Sequence, residues 1–355
     1  MARPSHVLSI PLQRRGMLRA LGVAACATVA SPGRWARPAP NRVRVALERE
    51  GSLAHLPLIV AQRLGYFRQE GLDVVLIELA GAAAVFEAVQ AGRAEAGSGP
   101  YLGVLQRQLR GEAVQTIVLQ GRVPQVALGV SVRLLPAYRG PGDLRGRRIG
   151  VPAPGTMGHV LARLWLAREA VAPDEVEWVS LAPVNSAVLA LRSGEVDALS
   201  HLEPGMTQLE QKGELRTIAD ARTLKGAQQV FGGPLPGTCL FVPQASVTRQ
   251  GAACQALVNG VARALAWLQT AQPQDIISTV PEASMMGDRA LYLASFYRLR
   301  ESYSPDGLLG EAGGRTAWNV VTLLGEGREA RAEEVLARSY TNEFAERART
   351  RLSKT

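Results

Sequence analysis

A chain of 355 residues is long enough for two domains, each able to bury its own core. With 47% hydrophobic and 20% charged residues it has a globular composition, which excludes a disordered or fibrous protein. The net charge of +9 comes from scattered arginines, and aromatics make up only 5%. A basic stripe interleaved with aromatics is missing, so nucleic acid is not an expected partner.

The chain opens on Gln13-Arg14-Arg15-Gly16-Met17-Leu18-Arg19, then a short apolar run from Ala20 to Ala30. That pattern reads as an export signal of the twin-arginine kind over residues 1–30, with an ordinary secretory signal as the alternative. The apolar run is too short to span a bilayer. Val23-Ala-Ala-Cys26 resembles a lipoprotein cleavage box, but the apolar stretch before it is shorter than such signals use, so lipid anchoring is not expected. The mature protein is expected in the periplasm, as a soluble monomer. Cys239 and Cys254 fall on a strand and a helix and are expected as buried free thiols rather than a disulfide.

After the leader, Asn41–Leu47 alternates as a strand, and 55–69 reads as a helix with Pro57 in its first turn. Strand 72–79, helix 82–91, strand 94–97, helix 100–110 and strand 114–119 follow. Strand 126–132 is expected to leave this first lobe. The pattern restarts after Pro141-Gly-Asp-Leu-Arg-Gly146: strand 148–151, helix 157–169, strand 176–181, helix 186–192, strand 196–199, helix 206–212 and strand 215–219. Alternation of this kind predicts parallel sheets with helices on both faces. Residues 228–242 read as a return path, two apolar strands interrupted by Gly232-Gly-Pro-Leu-Pro-Gly237. Four helical stretches, 253–270, 288–303, 314–324 and 331–348, have no strands of their own and should pack on the first lobe. The expected organisation is a first lobe over 41–130, an inserted lobe over 131–230 and a helical completion of the first lobe over 231–355.

One phrase occurs twice: Gly92-Arg-Ala-Glu-Ala-Gly-Ser98 and Gly194-Glu-Val-Asp-Ala-Leu-Ser200. Each follows a helical run and precedes a polar loop. This reads as helix, glycine C-cap, short strand, then a loop at the strand's carboxyl end. Ligands of open α/β sheets bind at that end.

Leu56-Pro-Leu-Ile-Val-Ala-Gln-Arg-Leu-Gly-Tyr-Phe-Arg-Gln-Glu-Gly-Leu-Asp-Val74 resembles the opening of the nitrate/sulfonate/taurine-type solute-binding proteins of ABC importers, relatives of the thiamine-pyrimidine-precursor binders. Gly142-Asp-Leu-Arg-Gly-Arg-Arg-Ile-Gly150, Gly194-Glu-Val-Asp197 and Tyr340-Thr-Asn-Glu-Phe344 are similar to further stretches of that family, in the same order. The resemblance implies an α/β fold of the type II periplasmic binding-protein kind, two lobes joined by two crossing segments. It also implies a non-enzymatic receptor that hands its solute to an ABC permease. Some relatives form pyrimidines, but their cysteine-rich motif is absent here.

The candidate ligand residues come from strand ends and helix starts. Gly155, Thr156 and Met157 open a helix whose free N–H groups favour an anion, a reading compatible with simple N-capping by Thr156. Ser98, Gly99 and Tyr101 follow one copy of the phrase, and His201 and Glu203 follow the other. Glu203 facing a cleft would favour an amine or heterocycle; Glu203 capping the next helix would be silent about the ligand. Ser52, His55 and Gly232 complete the set by position. His55, His159 and His201 match no compact metal motif, so neither metal nor cofactor is expected. The expected function is capture of a small organic solute: a sulfonate, a nitrate-like anion or an N-heterocycle. A periplasmic enzyme using the same cleft and a sensing module for a membrane receptor are the alternatives.

Overall fold

A computed structural model describes residues 41–48 and 53–354. The leader, Cys26 and Ser52 lie outside the described residues. In chain order the first sheet-and-helix unit holds β1 (Asn41–Glu48), α1 (Leu56–Arg63), α2 (Tyr66–Gln69), β2 (Leu72–Leu79), α3 (Gly81–Gln90), β3 (Ala96–Pro100), α4 (Tyr101–Leu109) and β4 (Val114–Leu119). Gly65, at φ +71°, divides the single helix expected over 55–69 into α1 and α2. The second unit holds β5 (Val126–Ser131), β6 (Arg148–Val151), α5 (Met157–Ala167), β7 (Glu177–Ser180), α6 (Val184–Ser193), β8 (Ala198–Leu202), α7 (Gly205–Gln211) and β9 (Leu215–Ala221).

The chain returns through α8 (Leu224–Phe231) and β10 (Thr238–Pro243). The stretch expected as the first return strand is therefore the end of a helix, closed by Gly232 at φ +74°. Helices α9 (Gln244–Arg249), α10 (Gly251–Thr270), α11 (Pro273–Thr279), α12 (Arg289–Leu299), α13 (Glu311–Leu323), α14 (Ala332–Ser339) and α15 (Glu343–Leu352) complete the chain. The helix expected over 331–348 breaks at Tyr340. That residue is extended and bridges to Thr116, while Thr341 N–H donates to the Thr116 carbonyl at 2.9 Å.

Two five-stranded sheets result, ordered β2-β1-β3-β10-β4 and β7-β6-β8-β5-β9. They share one plan. Four strands of each run the same way, and one, β10 or β5, runs antiparallel to both its neighbours. The sheets are thus mixed rather than parallel. The reversed strands are the ones that arrive from the other sheet rather than by a crossover within their own. Strand β5, expected to leave the first lobe, belongs to the second sheet, and the first crossing is residues 120–125.

Alternation along the strands builds a core on each face. Val43, Val45 and Leu47 of β1 join α1, α10 and Phe296 on one side, while Ala46 joins Phe86, Tyr101 and Phe241 on the other. In the second sheet Val126, Leu128 and Val130 pack toward Leu161 and Leu166, and Ala127 and Leu199 toward Leu191 and Met206. Cys239 and Cys254 are both buried and unpaired, and burial pushes their thiols up to about 12 and about 11.

The repeated phrase has a structural use. Gly92 and Gly194 sit at φ +66° and +85°, ending their helices in the left-handed region that favours glycine. Three residues on, Glu95 accepts from the Arg44 backbone N–H at 2.7 Å and from its guanidinium at 2.6 Å, while Glu95 N–H donates to the Arg44 carbonyl. Asp197 repeats this on Arg148, with backbone and guanidinium bonds both at 3.0 Å and the same return bond from Asp197 N–H. Each clamp ties the strand bearing the phrase to its parallel neighbour, β1 in the first unit and β6 in the second. Hydrogen bonds from Arg44 hold the Glu95 carboxyl below its ordinary range. Burial pushes Asp197 up, but the bonds from Arg148 outweigh it.

Asp197 is the more buried acid, at 5% exposure, so its clamp should carry more stability. Asp197→Ala should cost about 2–3 kcal/mol in urea denaturation, and Glu95→Ala, half-exposed and screened by water, about 1 kcal/mol.

Candidate functional site

Between the two sheets lies a cavity of about 360 Å³ lined from both sides. The first unit contributes Glu48, Ala54 and His55 after β1, Ala80–Ala83 at the start of α3, Phe86, Gly99 and Pro100 at the end of β3, and Arg107 and Arg110 of α4. The second contributes Pro152–Gly158 and Leu202; Pro124, Gly237 and Thr238 come from the crossing segments. A larger hollow of about 480 Å³, lined by Gln62, Arg63, Arg68 and Ser278, takes residues from the first unit alone.

Three helices, α3, α4 and α5, begin at this cavity, and no N-cap side chain bonds their first turns. Thr156 is at the N-cap of α5, but its hydroxyl donates to the Ala153 carbonyl at 2.7 Å, so it does not cap. Tyr101 N–H at the head of α4 is taken by the Gly237 carbonyl at 2.8 Å. The first turns of α3 and α5 therefore bring partly positive N–H groups to the cavity from opposite walls. Gly158 lets α5 come this close: a Cβ there would lie 2.5 Å from the Ser200 carbonyl oxygen. Arg107 pairs with Glu112 at 3.0 Å and lies over the Phe86 ring, itself stacked on Phe241.

The expected residues divide. His55, Gly99, Gly155, Thr156 and Met157 line the cavity together. Ser98 lies one bond behind the wall, its hydroxyl 2.8 Å from His55 Nδ1. It is the third residue of β3 rather than a strand-end residue, and fully buried. Tyr101, expected in a cleft loop, is a core residue: fully buried, with its hydroxyl 2.7 Å from Ser339 Oγ and its phenol pushed up by burial. Gly232 ends α8 away from the lining. His201 points to the opposite face of β8 from the one that meets α5, with Nε2 2.9 Å from the Leu181 carbonyl. His159 accepts the Gly155 N–H at 2.9 Å and sits edge-on to Trp178, so the three histidines do not converge.

Glu203 is the main correction. It is 2% exposed and lies outside the lining, with Oε1 2.6 Å from Arg222 Nη1, and it accepts the backbone N–H of Thr207 at 3.0 Å and its hydroxyl at 2.9 Å. It thus holds the first turn of α7 and neutralises a buried arginine. Arg222 also pairs with Asp220 at 2.7 Å and Glu210 at 2.8 Å. Helix α12, whose Phe296 is in the core of the first unit, reaches this cluster through Ser295 to Glu203 and Arg298 to Glu210. Sequence reading missed Arg222, Arg107, Arg110 and Phe86. No local motif marks them.

The family model described as NMT1/THI5 like matches residues 52–276. The chain belongs to the NMT1/THI5-like family. A solved protein of Bordetella bronchiseptica RB50 is 37% identical, with a TM-score of 0.81 over 88% of this NMT1/THI5-like chain and 98% of that one. The alkanesulfonate-binding protein SsuA of Xanthomonas axonopodis pv. citri, bound to MOPS, has a TM-score of 0.62 at 19% identity, over 81% and 93% of the two chains. The periplasmic nitrate-binding protein NrtA of Synechocystis PCC 6803 has a TM-score of 0.65 at 11% identity, over 88% and 89%. These last two share the fold, and the resemblance to nitrate/sulfonate/taurine-type binding proteins and the two-lobe architecture are borne out. No curated protein matches the chain. Among the described residues no helix is long and apolar enough to cross a membrane.

Two predictions come from these buried groups. Arg222→Met leaves Glu203 buried and unpaired and should cost about 3–5 kcal/mol in urea denaturation; adding Glu203→Met should recover most of the loss. Burial lowers His55 from 6.5 to about 4 and lowers His159 and His201 as well. A folded-state value below the unfolded one gives stability that is present above pH 6.5 and lost as the pH falls toward 4. Between pH 7 and 5 His55 alone should account for about 2 kcal/mol of that loss, and His55→Gln should flatten the denaturation profile accordingly.

Proposed function

We propose that this chain is an exported solute receptor of an ABC importer and takes a small organic anion between its two lobes. The observation that carries this reading is the placement of the uncapped first turns of α3 and α5 on opposite walls of one cavity. An anionic group between them gains from both helix ends, and only with the lobes together. Much of the remaining lining is apolar, Phe86, Met157, Leu202, Pro152, Pro154 and the alanines of α3, beside the charged Glu48, Arg107 and Arg110. Such walls suit a solute with a hydrocarbon body, a sulfonate or carboxylate rather than bare nitrate. Glu203, the residue that would have argued for an amine or heterocycle, is neutralised by Arg222 outside the cavity. The relatives named for alkanesulfonate and nitrate support the receptor role, and the basic leader with Arg14-Arg15 supports export to the periplasm and delivery to a permease.

The adjacency of Ser98 and His55 invites the enzymatic alternative. Its geometry argues against a nucleophile, because Ser98 Oγ is fully buried, bonded on two sides and absent from the cavity lining.

Thermal unfolding with a panel of alkane- and arylsulfonates, carboxylates, nitrate and amines tests the reading. An organic anion at a hundredfold excess over its Kd should raise Tm by roughly 5 °C. Stabilisation by amines alone, or by no organic anion, would sink it.

A further inference from the structure

Behind the first-lobe wall of the cavity three polar side chains form a directed chain. Gln120 Nε2 lies 2.8 Å from Ser98 Oγ, and Ser98 Oγ lies 2.8 Å from His55 Nδ1. Gln120 and Ser98 are fully buried and His55 is 3% exposed, so water does not exchange with these bonds. The direction follows from valence. An amide nitrogen only donates, so the Ser98 oxygen accepts from Gln120. Its one hydrogen is then left for His55 Nδ1, which must be the acceptor. A neutral imidazole that accepts at Nδ1 carries its proton on Nε2. Since His55 lines the cavity and Nδ1 is turned into the wall, Nε2 is the nitrogen left for a ligand.

The opposite direction is the poorer arrangement. Turning the Gln120 amide over would place Oε1 on Ser98, reverse both bonds and bury an amide NH2 with two unsatisfied hydrogens. The observed orientation leaves Gln120 Oε1 and one Nε2 hydrogen without a partner, and a buried carbonyl oxygen is more often left unpaired than a whole NH2 group. Gln120 is itself fixed by backbone bonds at the start of the first crossing segment. Its N–H donates to the Thr238 carbonyl and its carbonyl accepts from Ser304 N–H, each at 2.9 Å.

We infer that Gln120 and Ser98 are positioning residues that lock His55 as its Nε2–H tautomer, making His55 a hydrogen-bond donor that selects solutes presenting an acceptor oxygen. The selection part rests on the receptor reading given above; the tautomer part does not. A carboxylate or sulfonate oxygen accepts from Nε2–H, whereas an ammonium or amidinium group meets a donor with no lone pair to offer.

Nitrogen-15 NMR of the full chain labelled at histidine reads the tautomer directly. At pH 7 the His55 signals, assigned by their loss in His55→Gln, should show a bare Nδ1 and a protonated Nε2. Gln120→Glu is nearly isosteric and replaces the donor with an acceptor, so it should invert the two signals. Gln120→Met removes the donor without adding a charge and should give a tautomer mixture, which keeps the test available if the glutamate variant does not fold. Affinity for the most stabilising organic anion should fall about tenfold in Ser98→Ala. A protonated Nδ1 in the unsubstituted protein, or signals unmoved in the folded Gln120 variants, would overturn the relay. Unchanged affinity in Ser98→Ala would overturn the donor role. Failure of the receptor reading would look different: no solute would bind, with the tautomer as expected.

Discussion

Each lobe depends on one reciprocal arginine–carboxylate clamp. In the first, Glu95 takes both the backbone N–H and the guanidinium of Arg44; in the second, Asp197 does the same with Arg148. A carboxylate that satisfies main chain and side chain of one residue sets the register of two neighbouring strands, because a slip of one residue would break every bond at once. The clamped strands are those whose carboxyl ends build the cavity. Strand β1 leads to His55, β3 carries Ser98 to Pro100, β6 leads to the start of α5, and β8 carries Ser200 and Leu202. Precision at the site therefore begins at the opposite end of the strands, in bonds that never touch a solute.

The charges divide into structural and available ones. Glu203, Asp220 and Glu210 surround Arg222, and α12 of the first lobe leans on the same cluster, so these three acids serve to join the lobes. The cavity itself holds helix dipoles, Arg107, Arg110, Glu48 and a neutral histidine set into largely apolar walls. Such a lining pays little desolvation cost on the hydrocarbon side of a solute and offers N–H donors on the other.

Much of this architecture was legible in the chain. Positive-φ glycines after amphipathic helices, alternating strands and the twice-used phrase are local signals, and they located the lobes, α5 and the residues from His55 to Met157 that line the cavity. Where the reading failed, the deciding partner was remote. Tyr101 follows the phrase as expected, but Ser339 and the core around Phe86 claim it. His201 and Leu202 are adjacent on β8, and side-chain alternation sends only Leu202 to the cavity. Glu203 is claimed by Arg222, nineteen residues on, which no spacing rule announces.

The sequence by itself determined the α/β class, the two-lobe plan, the family and the start of α5, because these follow from short-range periodicity, capping and main-chain geometry. The tertiary structure alone decided that both sheets are mixed, that Glu203 is a structural counter-ion, and that Gln120 reaches Ser98 and, through it, His55. Those outcomes depend on which strand crosses from one sheet into the other. A crossing strand brings together side chains far apart in the chain, and burial then decides which of them a solute can meet.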